Sequence, residues 1–151
     1  KTNQMKKLKT ILLAEDNPKD VELTLEAISD RHLVENVTVV HDGVEVIDYL
    51  RYEGKYKMRK NGHPAVVLMD IKMPRMDGIE VLQIIREDPE LKRIPVVMLT
   101  SSREKTDLMK CYELGVNAYV VKPVDFTEFM ETIRSVSMFW TTINELPNFE
   151  D

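Results

Sequence analysis

A single cysteine, Cys111, stands among 151 residues, so no disulfide can form within the chain, and the sequence suits a reducing compartment. With three histidines and that one thiol, no ligand spacing suggests a zinc site. Cys111 falls inside a helical pattern and reads as a packed thiol. Long apolar runs are missing too. The main ones span about four residues, far short of the roughly 20 that a membrane helix needs, and no secretory leader is evident. A cytoplasmic protein without a membrane segment is therefore expected. Positive charge is not in excess. The formal net charge of −5 argues against a nucleic-acid binder, which needs a basic surface to neutralise phosphates. Glycine is scarce, at five residues, and no glycine-rich loop follows the first apolar run. Internal repeats, low-complexity tracts and interdomain linkers are absent.

What is present is a regular alternation. The apolar runs Ile11–Ala14, Val66–Met69, Val96–Leu99 and Ala118–Val121 read as buried parallel strands, and Val37–Val40, closed by Asp42-Gly43, as a further strand. Helical patterns separate them. Asp16 or Asn17 can cap the first, with Pro18 at a first-turn position and Val21, Leu25 and Ile28 as the apolar stripe. Val44, Ile47, Tyr49 and Leu50 mark the second, and residues 79–86 the third. Residues 103–114 form the fourth, closed by Gly115, and the last starts at Asp125 with Glu128 completing a capping box. The expected fold is α/β: a doubly wound, flavodoxin-like (βα)5 unit with a five-stranded parallel sheet and an extended C-terminal helix. The expected organisation is one domain over 8–145, with tails at 1–7 and 146–151.

Two stretches exceed a minimal α/β unit. Residues 51–63 are rich in Lys and Arg and poor in apolar residues. Joining the second helix to the third strand, they should lie at the sheet edge opposite the strand carboxyl ends, as a solvated loop or as a docking surface for an acidic partner. In the final helix, Phe126, Phe129, Ile133, Val136, Trp140 and Ile143 recur at spacings of three and four. Core packing accounts for the first half of that seam. Phe139, Trp140 and Ile143 either pack back on the domain or form a dimer contact.

The strand ends carry the chemistry. Glu15-Asp16 follows the first strand, Asp70 the third, Thr100 the fourth and Lys122-Pro123 the fifth. Right-handed crossovers put all these ends on one edge, where open α/β sheets bind ligands. Three crowded carboxylates call for a counter-charge. A hard, oxygen-preferring cation such as Mg2+ suits Glu15, Asp16 and Asp70, which have no His or Cys beside them. With the Lys122 ammonium and the Thr100 hydroxyl, such a pocket fits a phosphoryl group. Asp70 would then be a metal ligand only, or the nucleophile that accepts the group.

Leu13-Ala14-Glu15-Asp16-Asn17, Met69-Asp70-Ile71-Lys72-Met73-Pro74 with Asp77-Gly78, Leu99-Thr100-Ser101, and Tyr119 with Lys122-Pro123 together resemble the receiver domains of two-component response regulators. The resemblance runs from about Leu8 to Ser137. It implies that Asp70 accepts a phosphoryl group from a kinase phosphohistidine. It also implies that Asp16, Asp70 and the Lys72 backbone carbonyl ligate Mg2+, with Glu15 acting largely through water. Lys122 and Thr100 would each bond a phosphoryl oxygen. Tyr119 would turn inward as Thr100 moves, switching the helix-four/strand-five/helix-five surface, and the Lys122–Pro123 bond would be cis. Lys72 and Ser102 occupy positions that tune dephosphorylation in that family. The insert around Asp48-Tyr49-Leu50 to His63, the run from Cys111 to Tyr119 and the tail from Phe139-Trp140 to Leu146-Pro147 resemble the stand-alone regulators paired with bacterial phytochrome-type histidine kinases. That subgroup implies a homodimer through the helix-four/strand-five/helix-five face.

Other functions fit less well. An aspartate-nucleophile phosphohydrolase needs a second Asp two residues after the first, where this chain has Lys72. A nucleotide or flavin module needs a Gly- or hydroxyl-rich loop after the first strand, where this chain has Glu15-Asp16-Asn17-Pro18. A receiver-fold interaction module acting without phosphorylation has no need for the full acid, hydroxyl and lysine set.

Overall fold

Every apolar run identified in the sequence becomes a strand of one parallel sheet in the computed structural model, which describes residues 9–29 and 36–147. The elements are β1 (Ile11–Ala14), α1 (Pro18–Ile28), β2 (Val37–Val40), α2 (Gly43–Arg51), β3 (Val66–Met69), α3 (Gly78–Glu87), β4 (Val96–Thr100), α4 (Lys105–Glu113), β5 (Ala118–Val121) and α5 (Phe126–Met138). The strand order is β2-β1-β3-β4-β5, so the chain reverses direction across the sheet beside β1, as in flavodoxin-like folds. The tail at 1–7, residue 8 and residues 148–151 lie outside the described residues.

The two-residue strand period sorts the core into two layers. Leu12, Ala14, Val67, Met69, Val96 and Met98 pack with residues of α2, α3 and α4. Ile11, Leu13, Val66, Leu68, Val97 and Leu99 pack with Ala27 and Ile28 of α1 and Phe129, Met130 and Ile133 of α5. Caps set the helix starts. Asn17 accepts from the backbone N–H groups of Lys19 and Asp20, and Asp42 from that of Glu45. The reciprocal capping box forms at Asp77 and Glu80, not at Asp125 and Glu128. Asp125 accepts from the Glu128 N–H, but only at α3 does the glutamate side chain reach back to the cap. In α1 the buried positions are Thr24, Ala27 and Ile28. Leu25 is only half-buried, because α1 leans on α5 along the neighbouring face.

Three expectations need correction. First, among the described residues no peptide bond is cis, so Lys122–Pro123 is trans. Trans remains the preferred isomer even before proline, and Lys122 reaches its partners with that geometry. Second, the insert at 51–63 does not keep to the far sheet edge. A 3₁₀ turn at Gly54–Tyr56 folds back along α2. There the Tyr56 hydroxyl donates to Glu45, 2.8 Å away in the first turn of that helix, and the Tyr56 ring meets Tyr49 edge-on at 5.0 Å. Third, the α5 seam holds at Phe129, Ile133, Val136 and Trp140 but not at its ends, Phe126 and Ile143, which are exposed. Phe139–Ile143 form one π-helical turn, with the Asn144 N–H bonded to the Phe139 carbonyl and the Thr141 hydroxyl to the Ser137 carbonyl. Trp140 packs back against the α1/α5 core layer, while Phe139 and Ile143 remain exposed.

Candidate functional site

The parallel ladder runs one residue past β1, β3 and β5 and so fixes the residues at its carboxyl edge. The Glu15 N–H bonds the Val40 carbonyl, the Asp70 N–H the Ala14 carbonyl and the Lys122 N–H the Thr100 carbonyl. These backbone bonds hold three charged residues on the same edge, with Lys122 reaching across β4 to the other two. The cleft they share has a volume of about 450 Å³ and is lined by Glu15, Asp16, Asp20, Asp70, Lys72, Thr100 and Lys122, among others.

At its centre lies the Lys122 ammonium. It contacts Glu15 Oε1 at 2.6 Å, Asp20 Oδ2 at 2.8 Å and Asp70 Oδ2 at 2.9 Å. The other Asp70 oxygen, Oδ1, accepts from the Ile71 N–H at 2.7 Å, and Glu15 Oε2 accepts from the Asn17 N–H at 3.2 Å. One ammonium thus faces three carboxylates. Burial pushes the Glu15 carboxyl up to about 7, the nearby Asp70 charge adds to the rise, and the bond from Lys122 opposes both. Burial works against the Lys122 charge, but its bonds to Asp20, Glu15 and Asp70 prevail and hold the ammonium above the ordinary lysine value. Negative charge is in surplus here.

The hydroxyl side of the cleft is a small network. Thr100 Oγ1 accepts from the Ser102 N–H at 3.2 Å. The Ser102 hydroxyl donates to Asp107 on α4 at 2.6 Å. The Tyr119 hydroxyl donates to the Ser102 carbonyl at 3.1 Å, while its ring packs on the α2–α4 core layer. Tyr119 is thereby tied to the loop that follows Thr100. The loop after Asp70 is held by Gly78, whose N–H bonds the Ile71 carbonyl. A Cβ at Gly78 would collide with the Asp70 carbonyl oxygen, so glycine is required for α3 to start this close to the site.

The structure therefore brings Glu15, Asp70 and Lys122 into direct contact and sets Thr100 on the same cleft, with Asp16 and Lys72 exposed at its rim. Sequence reasoning missed Asp20, Ser102 as the link between Thr100 and Tyr119, and Asp107. The available signal for Asp20 was its place four residues after Asp16, in the first turn of the helix that leaves the acidic pair. Cys111 is fully buried, and burial lifts its thiol to about 11, consistent with a packing role.

Comparison with known proteins decides the family. The response regulator receiver domain matches residues 11–134. This chain belongs to that family. The receiver is 34% identical over 139 residues to response regulator Rcp1 from Synechocystis sp., covering 92% of this chain and 93% of Rcp1. The Mn2+-bound crystal form of Rcp1 superposes with a TM-score of 0.84 at 34% identity, over 93% of this chain and 99% of that one. The phosphorylated cyanobacterial phytochrome response regulator RcpA superposes with a TM-score of 0.87 at 38% identity, again over 93% and 99%. The bacteriophytochrome response regulator AtBRR is 54% identical, with a TM-score of 0.72 over 91% of this chain and 99% of that one. The resemblance to phytochrome-associated regulators is borne out along nearly the full length of each relative.

Proposed function

We propose that this receiver, residues 8–145, accepts a phosphoryl group on Asp70 from the phosphohistidine of a histidine kinase and relays the signal through its α4/β5/α5 surface. The observation that carries this reading is the contact of Asp70 Oδ2 with the Lys122 ammonium in a cleft that also holds the Thr100 hydroxyl. Asp70 attacks phosphorus through a carboxylate oxygen, and the kinase imidazole leaves with the electron pair of the broken N–P bond. The chain contributes positioning and charge rather than turnover. Lys122 donates to one phosphoryl oxygen and Thr100 to another, meeting charge as it develops on them. When Thr100 turns to the phosphoryl group, its Oγ1 lets go of the Ser102 N–H. The loop holding Tyr119 and Asp107 then becomes free to shift.

The donor set suits a hard divalent cation, for which we take Mg2+. Glu15, Asp16, Asp70 and the Lys72 carbonyl supply only oxygen ligands, and three carboxylates around one ammonium leave a negative surplus that a cation relieves. Among the described residues no three acids are already gathered for a metal, because Lys122 lies between Glu15 and Asp70. A bound Mg2+ supplies Lewis-acid charge neutralisation to the phosphoryl oxygens. Similarity to phytochrome response regulators supports a phytochrome-type kinase as the donor. No helix among the described residues is long and apolar enough to cross a membrane. Leu108, Met109 and Tyr112 leave apolar surface exposed on α4, which supports a homodimer through the α4/β5/α5 face.

Titrating the Mg2+ protein with beryllofluoride, a phosphoryl mimic, tests the acceptor. Wild type should bind and Asp70→Asn should lose binding by more than about 100-fold. Equal binding by the two proteins overturns the assignment.

A further inference from the structure

We propose that Asp20 of α1 competes with the phosphoryl group for Lys122 and so sets how tightly the site holds that group; this rests on the acceptor reading of Asp70 above. A lysine ammonium has three N–H bonds. In this protein Glu15, Asp20 and Asp70 face all three, at 2.6, 2.8 and 2.9 Å. On phosphorylation Asp70 gives up its carboxylate charge and its share of the ammonium passes to a phosphoryl oxygen, but Lys122 can bond a second phosphoryl oxygen only if Glu15 or Asp20 gives way.

The surroundings select which one yields. The Glu15 side chain is 3% exposed and Asp70 12%, whereas Asp20 is 25% exposed. Glu15 is also pinned by the Asn17 N–H and Asp70 by the Ile71 N–H. Leaving Glu15 unpaired in a dry site is the costliest choice. Asp20 can return to water at least cost. It sits in the first turn of α1, where exposed N–H groups favour a free carboxylate. Until it leaves, its charge repels an arriving dianion that shares the same ammonium. Asp20 thus keeps Lys122 occupied in the resting protein and opposes phosphoryl occupancy.

Asp20→Asn keeps the side-chain shape and removes the charge. At saturating Mg2+, Asp20→Asn should bind beryllofluoride several-fold more tightly than wild type, followed by fluorine NMR. Asp20→Glu, which restores the charge, should stay near wild type. In metal-free protein the ammonium nitrogen signal of Lys122 should move in Asp20→Asn and stay in place in Glu22→Gln, a change at an exposed position on the same helix. A role of Asp20 in helix stability alone moves the melting temperature and neither of these readouts. Binding by Asp20→Asn that equals or falls below wild type overturns the proposal while leaving the Asp70 assignment intact. Failure of wild type itself to bind, or equal binding by Asp70→Asn, overturns both.

Discussion

Lys122 and Arg59 are both cations drawn in from solvent, and their surroundings differ in kind. Lys122 meets three carboxylates at the carboxyl edge of the sheet. Arg59, in the insert beside α2, lies 3.9 Å from the centre of the Tyr49 ring and 4.0 Å from that of Tyr52. Its guanidinium donates to the Tyr49 carbonyl at 2.6 and 3.0 Å and to Asn61 at 2.7 Å. Its partners are neutral oxygens and aromatic faces, and every one is local to the insert and α2. Such an arrangement satisfies the cation and holds a segment in place. Around Lys122 the charges do not balance, and a surplus of carboxylate is costly unless something arrives to use it. The imbalance distinguishes the proposed phosphoryl site from a segment whose cation is fully matched by local partners.

The largest test of this contrast is Lys122→Ala. Phosphorylation of Asp70 by a small phosphodonor should fall by about 100-fold or more, as when an oxyanion donor is removed. Mg2+ affinity should rise, because the competing cation has gone. A variant that keeps wild-type rates would make Lys122 another structural cation. Next in size is Arg59→Ala. Losing its stacking and hydrogen bonds should cost about 1–3 kcal/mol in urea unfolding, with Asp70 phosphorylation within twofold of wild type. A larger drop in phosphorylation would mean that the insert reaches the site through contacts already visible: Tyr56 to Glu45, Glu45 to the His41 N–H, and His41 Nδ1 to the Glu15 carbonyl at 3.3 Å.

The third test is a slope. Folding raises the Glu15 carboxyl from 4.5 to about 7. The folded protein therefore keeps a proton that the unfolded chain releases. The stability linked to this group is complete below about pH 4.5 and is lost as pH rises through about 7. In metal-free protein, Glu15→Gln should flatten this part of the stability–pH curve. An unchanged slope would mean that burial does not raise the Glu15 carboxyl in the folded protein.

The five strands and their edge were readable because each apolar run is bounded by a charge or hydroxyl and parallel crossovers have one hand. Glu15, Asp70, Thr100 and Lys122 could be assembled from that argument without any distance. The paths of connections were not readable. Residues 51–63 look like solvated basic loop in the sequence. In the structure Arg59 turns inward, and Lys55 and Arg51 pair with Glu45 and Asp88. A charge run carries no signature of the acceptors it will meet on other elements. The end of α5 was ambiguous for a related reason. Spacings of three and four fit both a helix seam and a helix that rolls by one π turn, and only contact with the α1/α5 core layer separates them.

Residue order was enough for strand, helix and turn, and for the delivery of acid, hydroxyl and amine to one edge, because short-range periodicity and chain handedness govern those features. Three other features came from packing. Asp20 joins Glu15 and Asp70 at Lys122, Tyr119 is tied to the Thr100 loop through Ser102, and Trp140 turns into the domain. Each depends on how far apart two side chains from different elements come to rest, to within an ångström. Helix packing and loop paths set that distance, and no spacing along the chain encodes it.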